Sequence, residues 1–222
     1  MIPLKDEDRR PRQVPVVTII IIFVNLIVFL VELAEGSKFV ERWAMVPLYA
    51  ASPHGFLTVF TSMFMHAGWT HLLGNMVFLW AFGPEIEDAM GRGRYLAFYL
   101  LGGIAASVAQ IAVNPSSNVP NLGASGAIAA VMGAFIVTYL TDRIKTLFFF
   151  WLVTVREVPA IILIGVWFLL QLLNGTGSLM SNHPTSVAYM AHVGGFLFGA
   201  IAARIFERSS SAGGYQTNQG LT

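Results

Sequence analysis

Long apolar runs separated by short polar breaks dominate the chain. A helix needs about 20 apolar residues to cross a hydrocarbon core, and residues 14–33 supply a first such run. Residues 35–53 are mixed, with Lys38, Glu41, Arg42 and Trp43, and read as interfacial. Residues 55–69 are apolar but punctuated by Thr58, Thr61, Ser62 and His66, which fits a partly embedded loop or short helices. Further runs follow at 71–82 (continuing towards 89), 95–113, 124–141, 158–173 and 187–206. Between them, 114–122 is a polar turn with Pro115 and Pro120, and 174–185 is a loop rich in Gly, Ser, Asn and Pro. The stretch 147–155 is apolar and aromatic but short, a loop or the lead-in to the fifth run. The pattern predicts an all-α membrane protein: a charged N-terminal segment over 1–13, one six-helix domain over 14–206 and a disordered tail over 207–222.

Composition agrees. Of 222 residues, 55% are hydrophobic and 11% charged, too apolar for a soluble domain. The absence of cysteine removes disulfides, a thiolate nucleophile and cysteine-ligated metal. A net charge of +1 makes no case for nucleic acid as a partner. The first apolar run is too long for a signal-peptide core and reads as a retained helix. Charge also orients the bundle. With the N-terminus in the cytoplasm, Lys5, Arg9, Arg10, Arg12, Arg92, Arg94, Arg143, Lys145, Arg156, Arg204 and Arg208 fall inside, and only Lys38 and Arg42 fall outside. Both termini are then cytoplasmic, and the lack of a targeting extension points to a cell (plasma or inner) membrane.

This topology places the polar residues. Spans two, four and six run from outside to inside, and their first turns carry His71 and Asn75, Ser125, and His192. His71 lies 16 residues from Glu87, Ser125 17 from Asp142 and His192 15 from Glu207, acidic residues at the inner ends. At a rise of ~1.5 Å per residue these are about 22–26 Å each, against a core about 30 Å thick. All four groups therefore share a depth in the outer half. Each could simply satisfy itself with an interhelical hydrogen bond, but a serine, two histidines and an asparagine at one level on three helices favour a shared site facing water. Gly126 and Gly133 in span four, and Gly195 and Gly199 in span six, allow close helix approach.

Other intramembrane chemistries fit poorly. There is no H-E-x-x-H zinc motif, and His66 and His71 alone are a weak metal signal. Asp88 and Asp142 both sit at inner helix ends, too far for a paired-aspartate protease. Lys5, Lys38 and Lys145 are far from Ser125, and no outer-leaflet aspartate exists for a triad. Ser125 as nucleophile with His192 as base remains. His54 and His183 read as solvated or interfacial loop residues, Gln110 as an interhelical hydrogen-bonding residue in preference to a holder of water for hydrolysis, and Trp151 with the phenylalanines at 148–150 as an aromatic belt.

Gly123-Ala124-Ser125-Gly126, Ala191-His192-x-x-Gly195-x-x-x-Gly199, His66-x4-His71-x3-Asn75, Glu87 and Gly91-x-Gly93 together resemble the rhomboid family of intramembrane serine proteases. The resemblance covers about residues 14–206. It implies a six-helix fold with a water-filled cavity open to the outside, no cofactor or metal, and transmembrane proteins in surrounding lipid as substrates. By the resemblance, Ser125 attacks the scissile carbonyl and His192 relays the proton, with Asn75, His71 and the Ser125 backbone N–H holding the oxyanion. His66 is implied to order the first external loop and Glu87 to hydrogen-bond near the inner end; Gly123, Gly126, Gly195 and Gly199 support the site. Several rhomboids carry an aromatic four positions after the serine, stacked on the histidine; here that place is Ala129, which leaves the support of His192 open. The alternatives are an inactive rhomboid-like protein that binds membrane helices, and a channel or transporter, for which the repeated halves are missing. Span five, with bulky Trp167 and Phe168 and no GxxxG, is expected to be the helix displaced when substrate enters sideways.

Overall fold

A computed structural model gives the fold and describes residues 1–149, 153–180 and 188–208. The chain begins with a strand, β1 (Ile2–Asp6), and then enters α1 (Val16–Glu35) after Pro15. A short helix α2 (Ser37–Trp43) and a 3-10 turn (Pro47–Tyr49) fill the stretch expected at the interface, and α3 (Pro53–Thr61) with a second 3-10 turn (Ser62–Phe64) fills the one expected to be a partly embedded loop or short helices. Five longer helices follow: α4 (Trp69–Met90), α5 (Arg92–Val113), α6 (Ser125–Thr138), α7 (Ala160–Met180) and α8 (Tyr189–Phe206). Gly91, at φ 79°, makes the turn between α4 and α5, a backbone conformation that a side chain would strain.

Helix α6 is the hub. It packs against α4, α5 and α8, and every residue from Gly126 to Phe135 is buried. The outer helices turn apolar side chains outward: Ile201 and Ile205 of α8 are 76% and 77% exposed, and Phe23 and Ile27 of α1 are more than half exposed. Such faces are stable against lipid rather than water. Among the described residues, α1, α5, α7 and α8 are long and apolar enough to cross a membrane. The other two expected spans differ from these. Helix α4 has the length, at 22 residues, but carries Glu85, Glu87 and Asp88 near its end. Helix α6 has only 14 residues, about 21 Å, and as a helix enclosed by others it needs neither the length nor the exposed apolar face.

The all-α expectation requires correction. Of the stretch 147–155, read as a loop or lead-in, residues 147–149 and 153–155 belong to a three-stranded antiparallel sheet in which β2 (Arg143–Phe149) lies between β1 and β3 (Val153–Pro159). The charged N-terminal segment is thus ordered rather than a free arm. Arg9 pairs with the carboxylate of Asp142, the Arg143 N–H donates to Asp8 at 2.7 Å, and the Ala160 N–H donates to the Asp142 carbonyl at 2.8 Å. One aspartate therefore ties the sheet to the root of α7. Two boundaries also move. Helix α7 continues through residues expected to form the 174–185 loop, because Thr176 Oγ1 bonds back to Leu172 O at 2.9 Å and Gly175 lies against Tyr189 and Met190 of α8. Glu207 and Arg208, expected in the tail, are held in place: Thr138 Oγ1 donates to Glu207 at 2.7 Å, and the Arg208 N–H donates to Ala89 O at 3.1 Å. Residues 209–222, His183 and Trp151 lie outside the described residues.

Candidate active site

The entry to α6 explains how Ser125 is presented. Gly123 turns the chain at φ 137° while its N–H donates to Ser62 O at 2.9 Å. A Cβ at position 123 would lie 2.9 and 3.0 Å from Cε1 and Nε2 of His71 and 3.5 Å from Ser125 Oγ. The missing side chain thus lets the His71 ring and the Ser125 hydroxyl close on one spot. Ser125 opens the helix, where a backbone N–H has no intrahelical acceptor.

His192 reaches the same place from α8. Its Nε2 is 2.7 Å from Ser125 Oγ. The approach depends on glycines: a methyl group at Gly195 would run into the Gly126 carbonyl, one at Gly199 into the Ala130 carbonyl, and one at Gly133 into the Phe196 carbonyl. The two backbones touch, as small residues at a helix contact permit. Gln110 of α5 adds an interhelical bond, its Oε1 accepting from the Ala191 N–H at 3.2 Å.

Two residues of α7 complete the surroundings of His192, and sequence reasoning assigned neither to it. Gln171 Oε1 is 2.7 Å from His192 Nδ1, and the Trp167 ring lies 5.8 Å from the imidazole, centroid to centroid. Ala129 is fully buried and offers no ring, so the aromatic neighbour comes from a different helix. The available signal for Gln171 was a lone amide in an otherwise apolar span, costly in lipid unless partnered.

On α4, Asn75 is buried, and its Nδ2 has no hydrogen-bond partner among the described residues. His71 Nδ1 accepts from the Ala67 N–H at 3.4 Å, so the proton belongs on Nε2, the nitrogen beside Gly123. His66 is buried edge-to-face against His71 at 5.2 Å, and its backbone N–H donates to Glu32 of α1 at 2.9 Å. Glu32, a single carboxylate near the end of the first apolar run, was not singled out from sequence. Glu87 is 12 residues beyond Asn75 on α4, about 18 Å away along the axis, and takes no part here. It accepts from the N–H groups of Val17 and Thr18 and from Thr18 Oγ1 at 2.8–2.9 Å, satisfying donors left open at the start of α1. His54, on α3, bonds the Arg42 carbonyl at 2.7 Å and is exposed.

A cavity of about 40 Å³ adjoins the serine, lined by Ser62, Ser107, Asn121, Ser125 and Ala191 among others. A water needs about 10–15 Å³ of such space and polar partners, and both are present. Among the described residues, no group of three His, Asp or Glu side chains converges as a metal-binding set.

A serine hydroxyl against an imidazole nitrogen, at the junction of closely packed apolar helices, defines a helical membrane protein with a potential nucleophile at its centre. The family model for the Rhomboid domain matches residues 53–209, and the chain belongs to the rhomboid family. It is a multi-pass membrane protein. It is 28% identical to rhomboid protease GluP of Bacillus subtilis over 217 residues, 90% of this chain and 38% of that protein. To mitochondrial rhomboid protein 1 of Saccharomyces cerevisiae it is 29% identical over 187 residues, 80% of this chain and 49% of the other. To chloroplastic rhomboid-like protein 11 of Arabidopsis thaliana it is 26% identical over 214 residues, 93% and 71%. The chain thus spans half or less of the length of the first two.

Proposed function

We propose that the chain is an intramembrane serine endopeptidase that cleaves transmembrane segments of other membrane proteins. The observation that carries this reading is the 2.7 Å contact between Ser125 Oγ and His192 Nε2. Ser125 Oγ attacks the scissile carbonyl as its proton passes to His192 Nε2. The imidazolium then gives that proton to the leaving amine, and water, deprotonated by His192, hydrolyses the acyl-enzyme. Three donors suit the oxyanion: Asn75 Nδ2, the Nε2–H of His71 and the Ser125 N–H. The catalytic domain is taken as 14–206, with α1, α4, α5, α6, α7 and α8 as six spans. The arginine and lysine distribution supports cytoplasmic termini in a cell membrane, with the site towards the extracytoplasmic side.

The test is incubation of the purified protein with a helical membrane substrate, with and without a serine-reactive fluorophosphonate. Cleavage that the reagent blocks, with the label on Ser125, is the expected result. Binding of the helix without cleavage or labelling replaces the proposal with an inactive rhomboid-like binder.

A further inference from the structure

For His192 to take a proton from Ser125, Nε2 must carry the lone pair, so Nδ1 must carry the hydrogen. A neutral imidazole can place its hydrogen on either nitrogen, and the partner of the second nitrogen decides which. In a serine–histidine–aspartate triad a carboxylate makes that choice. Among the described residues no aspartate or glutamate side chain is paired with His192, and its Nδ1 meets Gln171 Oε1 at 2.7 Å. An amide can in principle be turned either way. With Nδ1–H required for base function, only the carbonyl oxygen of Gln171 makes a bond, and its NH₂ would oppose the hydrogen.

The neighbouring contacts hold the same face of α7 on α8. Trp167 precedes Gln171 by one helical repeat of four residues, so both side chains leave α7 on one side. One lies beside the imidazole and the other at Nδ1. Phe168 stacks on Phe196 at 4.3 Å, and Phe196 is four residues after His192 on α8. The ring of His192 is thus held from α7 at an edge and against a neighbouring ring, while the serine comes from α6.

We propose that Gln171 is a positioning residue that accepts a hydrogen bond from His192 Nδ1–H and so keeps Nε2 free to act as base towards Ser125. The inference rests on the serine–histidine reading, and it adds that the base is set from α7, the helix expected to move when substrate enters. A neutral amide orients the ring but places no full charge beside the imidazolium, unlike a carboxylate.

The experiment compares the wild type with Gln171→Leu and Gln171→Glu in detergent or nanodiscs. Each is labelled with ¹⁵N-histidine, and His192 is assigned through His192→Ala. In the wild type the imidazole carries its proton on Nδ1, and a spectrum showing the Nε2–H form or an even mixture overturns the proposal. Gln171→Leu is expected to mix the tautomers and slow fluorophosphonate labelling of Ser125 by about ten- to a hundredfold, a fraction of what a general base contributes. Gln171→Glu is expected to restore labelling and to move the acid limb of its pH profile upward, because a carboxylate favours the imidazolium. Unchanged tautomer and labelling rate in a folded Gln171→Leu protein overturn the proposal. If Gln171→Leu does not fold, the wild-type tautomer and the pH limb of Gln171→Glu decide. A wild type whose serine is never labelled sinks the dyad reading instead, and the tautomer spectrum still judges Gln171.

Discussion

Two of the seams of helix α8, those with α6 and α7, are opposite in character. Against α6 it packs backbone on backbone, with Gly133, Gly195 and Gly199 leaving no space for even a methyl group. Against α7 it packs through long side chains: Phe168 on Phe196, Trp167 beside His192, and Gln171 on His192. A backbone contact has no rotamers to adjust, whereas a side-chain seam can slide and repack. The first seam brings the Ser125 hydroxyl to His192; the second places Gln171 and Trp167 against the imidazole. Helix α7 is also uneven along its length. Both halves turn a lipid-type face outward, at Ile161 and Ile162 and at Leu169, Leu170, Leu172 and Leu173, but only the root is tied through backbone, the Ala160 N–H donating to the Asp142 carbonyl. A helix tied by backbone at one end and by side chains at the other can swing its outer half while the α6–α8 seam stays closed.

The largest effect is expected from breaking the tight seam. Gly199→Val forces side-chain carbons into the Ala130 carbonyl, and overpacking typically costs about 1–3 kcal/mol, more where backbone blocks the way. Loss of the folded protein in a thermal melt is the expected outcome, and a normal melting temperature would show that the seam tolerates separation.

The loose seam should respond differently. Phe168→Ala is expected to raise the ratio of embedded-substrate to soluble-peptide cleavage several-fold, and a crosslink between α7 and α4 to lower it. Trp167→Ala combines two effects, since it loosens the seam and strips the imidazole of its neighbour, so it should slow peptide cleavage while the ratio still rises. A crosslinked protein that cuts embedded substrates at the full rate rules out entry beside α7.

A smaller, pH-dependent effect is expected at the root of α7. Burial, and then the neighbouring Asp142 carboxylate, push Asp6 from 3.8 up to about 7. The folded state therefore holds a proton that the unfolded chain releases. Asp6 contributes its stability fully below about pH 4, and that contribution is lost as pH rises to about 7. Between pH 5 and 8 the melting temperature of Asp6→Asn should gain on that of the wild type. Parallel changes in the two proteins would separate Asp6 from the docking of β1.

The smallest change is expected at Gly165 of α7, where an added Cβ meets nothing within 4 Å. Gly165→Ala should keep activity and raise stability by at most about 1 kcal/mol, in contrast to any glycine of the α6–α8 seam. A melting temperature well below wild type would mean that α7 is packed far more tightly than its exposed face indicates.

Much of this contrast was legible in the sequence. Apolar run length located most of the long helices to within a few residues, as 95–113 against Arg92–Val113 shows, though not the end of α7, expected at 173 and found at Met180, because lipid forces backbone bonds to close within each helix. The glycine spacing and the shared depth of Ser125 and His192 anticipated their meeting. The sheet was not visible. Its first strand is five residues of mixed polarity, and its partner lies about 140 residues further along the chain, so no local period marks the pairing. Gln171 escaped for a related reason. It is 21 residues before His192 on another helix, and helical spacing says which residues share a face, not which neighbouring helix that face meets.

The central claim is that Ser125 and His192 form one chemical unit. Its most direct test is the cleavage rate of a helical membrane substrate by Ser125→Ala, His192→Ala and the double variant, each shown by its melting temperature to be folded. Either single change is expected to reduce cleavage to background, and the double change to cost little more, because residues acting as a unit are not additive. Near-normal cleavage by either single variant would contradict it.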